Sequence, residues 1–197
     1  KKTTLEAYSR PRANGINAIK IKENDRLLDV KLTNGDNHIV IAKKSGKAIR
    51  FHESNARPMG RVASGVRGVR LENEDDFVIG MICIAREDSD LLVVSENGYG
   101  KRSSINDYRI TKRGGKGVMT LKTTDKTGNL VSIKEVKTND ELMIINQSGI
   151  TIRISINDEN IRVMGRATQG VRLIKLNKDD KISSVAKIEI IDDENKE

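Results

Sequence analysis

The chain has 197 residues, with 36 Lys and Arg against 28 Asp and Glu, a formal charge of +8, 3% aromatic residues and no Trp. The charge favours a polyanionic partner without specifying a fold, and the shortage of rings argues against a single-strand binder, which stacks bases on them. Cys83 is the only cysteine, which excludes a disulfide framework and fits a reducing cytoplasm. No apolar run approaches the ~20 residues that span a bilayer, and Lys1-Lys2-Thr3-Thr4 leads into no signal-like apolar segment.

Short runs rich in Ile and Val recur between Gly, Asn and Asp, as strands do between turns. No long stretch carries a 3.6-residue apolar period, so helix is expected to be scarce. In chain order, residues 1–36 hold Gly15, Ile16, Ile19 and Lys20, then an Asn24-Asp25 turn and a predicted strand over 27–32. Residues 37–88 open with the strand-like run His38–Ala42, the turn Lys44-Ser45-Gly46 and Arg50. Gly65, Val66, Val69 and Arg70 follow, then an Asp75-Asp76 turn and a predicted strand Phe77–Ile84. Residues 89–139 repeat the order with Leu91–Val94, Glu96-Asn97-Gly98, Arg102, Gly117, Val118, Leu121 and Lys122, then a looser Thr127-Gly128-Asn129 turn and Leu130–Val136. Residues 140–191 do so again with Leu142–Ile145, Gln147-Ser148-Gly149, Arg153, Gly170, Val171, Ile174 and Lys175, then Asp179-Asp180 and Ile182–Ile190. An acidic tail, 192–197, ends the chain.

The turn glycines stand at 46, 98 and 149, spacings of 52 and 51 residues. Each is followed four residues later by arginine, and Lys2 holds that place in the first copy. A period near ~50 with about four strands per unit is the signature of propeller-like blades. The expected fold is all-β, one domain with a partial blade over 1–36 and blades over 37–88, 89–139 and 140–191, in an incomplete open arc. The chain is expected to begin inside a repeat. Unpaired strand edges in such an arc invite self-association. Two separate small barrels are the alternative, and the common offsets disfavour them.

Between the arginine and the second glycine, each copy carries a basic loop. The third copy's stretch from Tyr99 to Gly117 has Lys101, Arg102, Arg109, Lys112, Arg113 and Lys116 against Asp107; the second copy's, carried on from Arg50 to Arg70, has Arg50, Arg57, Arg61, Arg67 and Arg70 against Glu53; the fourth has Arg153, Arg162, Arg166, Arg172 and Lys175 against Asp158 and Glu159. One such loop is ordinary solvated surface. Three at one address in successive blades would form a cationic track, with charge for phosphates and glycine for close backbone approach. Lys101, Arg109, Lys112, Arg113, Lys116, Arg57, Arg61, Arg67, Arg162, Arg166 and Arg172 are the candidate DNA contacts. Arg50, Arg102 and Arg153, at a fixed offset inside a strand, either support the blade or meet DNA.

Gly114-Gly115-Lys116-Gly117 fails as a phosphate-binding loop, which needs glycine where Ile110 stands and Ser or Thr where Gly117 stands. His38 and His52 lack metal-ligand company and read as strand residues, and Cys83 reads as core. No catalytic constellation stands out, so the chain is expected to be no enzyme by itself and to hold no cofactor.

The segment Thr111-Lys112-Arg113-Gly114-Gly115-Lys116-Gly117 resembles the Q-R-R-G-G-K-G box of the DNA gyrase A subunit, matching at five of seven positions. Asn97–Arg102, Val66–Leu71 and Gly165–Val171 are similar to that family's blade motifs, so the resemblance covers nearly the whole chain. It implies the family's C-terminal β-pinwheel, six blades that wrap duplex DNA around a rim and so support ATP-dependent negative supercoiling. It implies the rest of gyrase A and gyrase B as partners, ATP and Mg bound elsewhere in the parent enzyme, and a cytoplasmic, nucleoid-associated place. In the family the box lies in the first blade; here it is mid-chain, which implies that early blades are lacking and leaves this segment as either a secondary copy of the box or the principal one. The parent's catalytic tyrosine follows an arginine, whereas Tyr8, Tyr99 and Tyr108 follow Ala7, Gly98 and Asp107. The C-terminal domain of the topoisomerase IV A subunit and a propeller scaffold for an acidic protein are the competing readings.

Overall fold

The structure is a computed structural model that describes residues 1–84 and 88–188. Its strands, in chain order, are β1 (His38–Lys43), β2 (Lys47–His52), β3 (Val78–Ile84), β4 (Asp90–Ser95), β5 (Tyr99–Ser104), β6 (Val118–Met119), β7 (Leu130–Val136), β8 (Glu141–Asn146), β9 (Thr151–Ser155), β10 (Val171–Arg172) and β11 (Ile182–Ile188). Helix is confined, among the described residues, to single 3₁₀ turns at Leu5–Tyr8, Glu53–Asn55 and Ile105–Asp107. The acidic tail and the last two residues of the strand expected over 182–190 lie outside the described residues.

The strands form three antiparallel sheets, ordered β3-β1-β2-β6, β10-β5-β4-β7 and β11-β8-β9. Each glycine-ended turn closes a hairpin whose first strand is rich in β-branched and apolar residues, and the strand after the acidic turn adds to that first strand. The fourth strand comes from elsewhere. β6, just past Gly117, pairs with β2 of the preceding repeat, and β10, just past Gly170, pairs with β5 of the preceding repeat. Sheets therefore cut across the sequence repeats: the first two each receive a short strand from the next copy.

That exchange explains both recurrent glycines. Gly98 adopts φ +80° in its turn, and a Cβ there would lie 2.7 Å from the Ile174 carbonyl oxygen of the incoming segment. A Cβ on Gly117 would lie 2.6 Å from the Ala48 carbonyl oxygen of the receiving strand. Only hydrogen fits between the two backbones.

The sheets stack in series. Leu91 and Val93 of β4 join Val40, Ala42, Ile82 and Ile84 of the first sheet in one core. Leu92 and Val94, pointing the other way, join Leu142 and Ile144 of the third sheet in a second. All four β4 side chains are fully buried, each worth about 2 kcal/mol relative to exposure. A continuous Leu-Leu-Val-Val run is therefore what a doubly covered central strand requires. By contrast, burial along β8 alternates, because one of its faces is only partly covered.

The strand expected over 27–32 does not form. A strand needs a partner for its backbone groups, and among the described residues nothing pairs with 27–32; Leu27, Val30 and Leu32 remain exposed. The chain just beyond is tied instead through Glu53, which accepts hydrogen bonds from Thr33 Oγ1 and the Gly35 and Asn37 N–H groups and pairs with Lys2 at 2.6 Å. Burial pushes the Glu53 carboxyl up, but the bonds from Lys2, Asn37 and Thr33 overcome it and hold the group at about 2.

Candidate nucleic-acid interface

Each basic loop starts beyond a hairpin, turns through or near the 3₁₀ position and crosses to the preceding repeat. It is pinned there first by a bridge. Pro58, Ile110 and Val163 bridge to Lys2, Arg50 and Arg102, and the N–H groups of Met59, Thr111 and Met164 donate to the carbonyls of those same three residues at 2.9, 2.9 and 2.8 Å. In the later two repeats the second pin is the exchanged strand, β6 or β10. The Thr111–Gly117 segment is thus a bulge between two fixed points on the edge of β2, and 164–170 is its counterpart on β5.

Successive bulges touch. The Arg70 N–H donates to the Gly115 carbonyl at 2.9 Å, the Gly114 N–H donates to the Gly68 carbonyl at 2.6 Å, and the Lys122 N–H donates to the Thr168 carbonyl at 3.0 Å. The basic loops of neighbouring repeats are therefore in register, through their backbones, as one line.

The candidate cations divide into three groups along that line. Arg57, Arg67, Arg109, Lys112, Lys116, Arg162 and Arg172 are exposed. Arg172 is held in place: its Nε and Nη2 donate to the Tyr99 hydroxyl at 3.2 and 2.8 Å, and its guanidinium lies 5.4 Å from that ring's centre.

The second group is half-buried and works on protein backbone. Arg113 donates through Nε to the Asn55 carbonyl at 2.9 Å and through Nη1 to the Arg67 carbonyl at 3.0 Å. Arg166 donates likewise to the Asp107 and Met119 carbonyls at 3.0 and 2.9 Å. Arg61 donates to the Asn17 carbonyl at 3.1 Å. Each lies four residues before its repeat's second glycine and bonds the residue two past the previous repeat's second glycine. These three arginines clamp adjacent repeats together.

The third group departs from the sequence reading. Lys101 is fully buried, with Nζ donating to the Gly165 carbonyl at 2.6 Å, so it holds the next repeat's bulge from below. Arg50 and Arg102 resolve to the supporting role. Arg50 donates to the Ile105 carbonyl at 2.9 Å from a buried position. Arg102 donates to the Ile161 carbonyl at 2.7 Å, to Thr138 Oγ1 at 2.9 Å, to Asp90 at 3.3 Å and to Asp158 at 2.6 Å. Burial pushes the Asp90 carboxyl up, with the Arg102 charge opposing it. Arg153 is exposed and pairs with Glu141.

Arg70, Lys122 and Lys175 are also exposed, and the first two flank the next bulge through their own N–H groups. Their fixed place five residues past the second glycine is the sequence signal that marks them. His38 and His52 stack edge-on at 5.3 Å inside the hairpin, and His52 Nε2 lies 3.0 Å from Asp36. Burial pushes the Cys83 thiol up. Among the described residues, no three His, Cys, Asp or Glu side chains gather as metal ligands would, and no helix is long and apolar enough to cross a membrane.

The family model described as the DNA gyrase C-terminal domain, beta-propeller, matches residues 1–34, 38–85, 89–137 and 140–189. The gyrase A protein of Staphylococcus aureus (strain MRSA252) is 45% identical over 199 residues, covering 100% of this chain and 22% of that protein. The gyrase A protein of Ureaplasma parvum serovar 3 is 47% identical over 186 residues, 94% of this chain and 22% of that protein. The chain thus spans about a fifth of the length of these relatives. Among solved structures, a DNA gyrase A C-terminal domain aligns with TM-score 0.77 and 27% identity over 88% of this chain and 58% of that one. The C-terminal domain of a DNA topoisomerase IV aligns with TM-score 0.87 and 24% identity over 95% and 58%, a likeness of fold.

Proposed function

Since the chain belongs to the DNA gyrase C-terminal domain family of beta-propellers, we propose that it binds duplex DNA along the line of basic bulges and bends the duplex around it. The observation that carries this reading is the backbone registration of successive bulges, each carrying or directly flanked by exposed Lys or Arg. Phosphates along a curved duplex require charge at regular intervals and little base-edge chemistry. The bulges offer charge and glycine rather than groups that read bases, so binding depends weakly on sequence and favours flexible DNA.

In this reading the chain serves a larger type II topoisomerase. The rest of gyrase A and gyrase B supply ATP- and Mg-dependent strand passage, in the bacterial cytoplasm at the nucleoid, and this region supplies wrapping. The identity of 45–47% to gyrase A proteins and the Arg-Gly-Gly-Lys-Gly run favour gyrase over topoisomerase IV.

The test is duplex binding measured across a salt series. Replacing Lys112 and Lys116 with Ala, and leaving the clamping Arg113 in place, flattens the slope of log K against log salt by about 2, from about 0.9 per phosphate contact. Melting is unchanged, since both side chains are exposed. An unchanged slope with intact folding refutes the DNA reading and leaves a scaffold for an acidic protein.

A further inference from the structure

We propose that Tyr99, Arg172 and Lys126 form a phosphate site apart from the basic bulges, which takes one backbone phosphate of the bound duplex. This site, which presupposes the DNA reading above, adds a contact that the bulges do not supply. Its residues come from three segments of chain. Tyr99 is the first residue of β5, Arg172 stands opposite it on the exchanged strand β10, and Lys126 lies in the turn between β6 and β7. The sheet that carries Tyr99 is packed between the first sheet and the third.

The tyrosine organises the other two. It is buried, at 6% exposure. The Arg172 guanidinium carbon lies 5.4 Å and Lys126 Nζ 5.3 Å from its ring centre, within the ~6 Å over which the ring quadrupole attracts a cation. The Tyr99 hydroxyl accepts from Arg172 Nε at 3.2 Å and from Nη2 at 2.8 Å. A phenol that accepts in this way still holds its own proton, and among the described residues it donates that proton to no protein group. Asn97 fixes the backbone beneath the lysine. Its Nδ2 donates to the Asp125 and Lys126 carbonyls at 3.1 and 3.2 Å, and its backbone N–H donates to the Thr127 carbonyl at 3.2 Å.

Charge separates this place from its counterpart in the first sheet. There Lys47 holds the position of Tyr99 and Met119 that of Arg172, and Glu72 neutralises Lys47 at 3.0 Å. Around Tyr99 the charge is not cancelled. Both Arg172 and Lys126 are exposed, and among the described residues neither forms an ion pair. Glu96, in the adjoining hairpin turn, is paired with Lys181 at 3.2 Å, and the exposed Asp125 carboxylate pairs with neither cation.

Two cations and a phenol O–H gathered without a carboxylate are a donor set for a phosphate. Its oxygens accept from Lys126 Nζ, from the Arg172 Nη1 that Tyr99 leaves unused, and from the Tyr99 O–H. The site lies just past the 164–170 bulge and beside the Gly98 turn. It therefore draws the duplex from the line of bulges toward the hairpin-turn end of the middle repeat.

The experiment measures duplex binding by the 197-residue chain across a salt series, with melting curves in parallel. Lys126→Gln and Tyr99→Phe are each expected to weaken binding by about threefold to tenfold. Lys178→Gln removes the same charge from an exposed lysine of the fourth repeat's acidic turn and is the control for a general effect of charge. Combining Lys126→Gln with Arg172→Gln flattens the slope of log K against log salt by about 0.9, the value for one phosphate. A flattening of about twice that means two separate phosphates and overturns the shared site. So does a Lys126→Gln chain that binds no more weakly than Lys178→Gln, or a folded Tyr99→Phe chain that binds like the unmodified one. Lys126 is exposed, so its variant decides the matter even where Tyr99→Phe melts early. If replacing Lys112 and Lys116 leaves the slope unchanged, the DNA reading fails and this site with it. If that slope flattens while Lys126→Gln matches Lys178→Gln, this site alone fails.

Discussion

β5 and β9 are built from one pattern: a glycine-ended turn, a strand, and an arginine four residues past the glycine. Their surroundings differ in one respect. β5 receives β10 along its outer edge, while β9 receives nothing among the described residues. On β5 the arginine is buried at 2% exposure, bonded to a carbonyl, a hydroxyl and two carboxylates. On β9 the arginine side chain is 62% exposed and pairs with Glu141. The comparison teaches that one sequence pattern has no fixed role in a repeat protein. The neighbour's exchanged strand and loop decide whether a side chain is core or surface.

The largest expected effect separates these two arginines. Arg102→Ala strips the buried Ile161 carbonyl of its donor and leaves the Asp90 carboxylate without its charge partner, a loss of about 3 kcal/mol. Arg153→Ala removes an exposed pair and stays within about 0.5 kcal/mol. Denaturant melts of the two variants measure the gap. Equal midpoints would mean that Arg102 is solvated and the repeats are not joined as described.

The turn glycines sharpen the same contrast at smaller scale. Gly98 and Gly149 share positive φ, +80° and +87°, so alanine costs about 1 kcal/mol of backbone strain at either. At Gly98 the added Cβ also meets the Ile174 carbonyl and the Ile174 side chain, raising the total to about 2–3 kcal/mol. At Gly149 the space is open and strain is the whole cost. If Gly149→Ala proves as damaging as Gly98→Ala, the β9 edge is already covered in solution.

Much of this was legible in the residues. The offsets of the turn glycine, the arginine and the second glycine defined the repeat, since strand length and hairpin geometry fix such spacings. The strand exchange was not legible. A segment past Gly117 has the same offsets whether it joins its own sheet or the previous one, and only the close approach of Gly117 to Ala48 distinguishes them. The expected strand over 27–32 failed for a related reason: an apolar run between turns marks a strand's side chains, whereas the strand's existence depends on a partner elsewhere. The common address of the basic loops did correspond to one register of bulges. Charge alone could not tell Lys112, which is exposed, from Arg113, which spends its donors on the Asn55 and Arg67 carbonyls, because both are cations in one turn.

Lys101 is the smallest of the predicted effects and tests the same distinction between support and contact. Three residues past the turn glycine, the other hairpins carry Ile49 and Ile152, so Lys101 occupies an apolar position. Burial pulls its ammonium down to about 8, with Asp107 opposing and Arg166 reinforcing the shift. In the unfolded chain the group titrates at about 10.4. Between these values the unfolded chain binds a proton that the folded chain has released. The penalty for carrying the charge inside is therefore complete below about pH 8 and is relieved as pH rises toward about 10. Lys101→Ile removes the penalty together with the bond to the Gly165 carbonyl, so the two effects partly offset. The variant's stability relative to the unmodified chain is therefore highest near about pH 7 and falls by about pH 10, as read from denaturant midpoints of both proteins at each pH. A difference that does not change with pH would mean that the Lys101 ammonium is solvated. It would then stand beside Lys112 and Lys116 as a phosphate contact, and its loss would appear in the salt slope instead of in the melt.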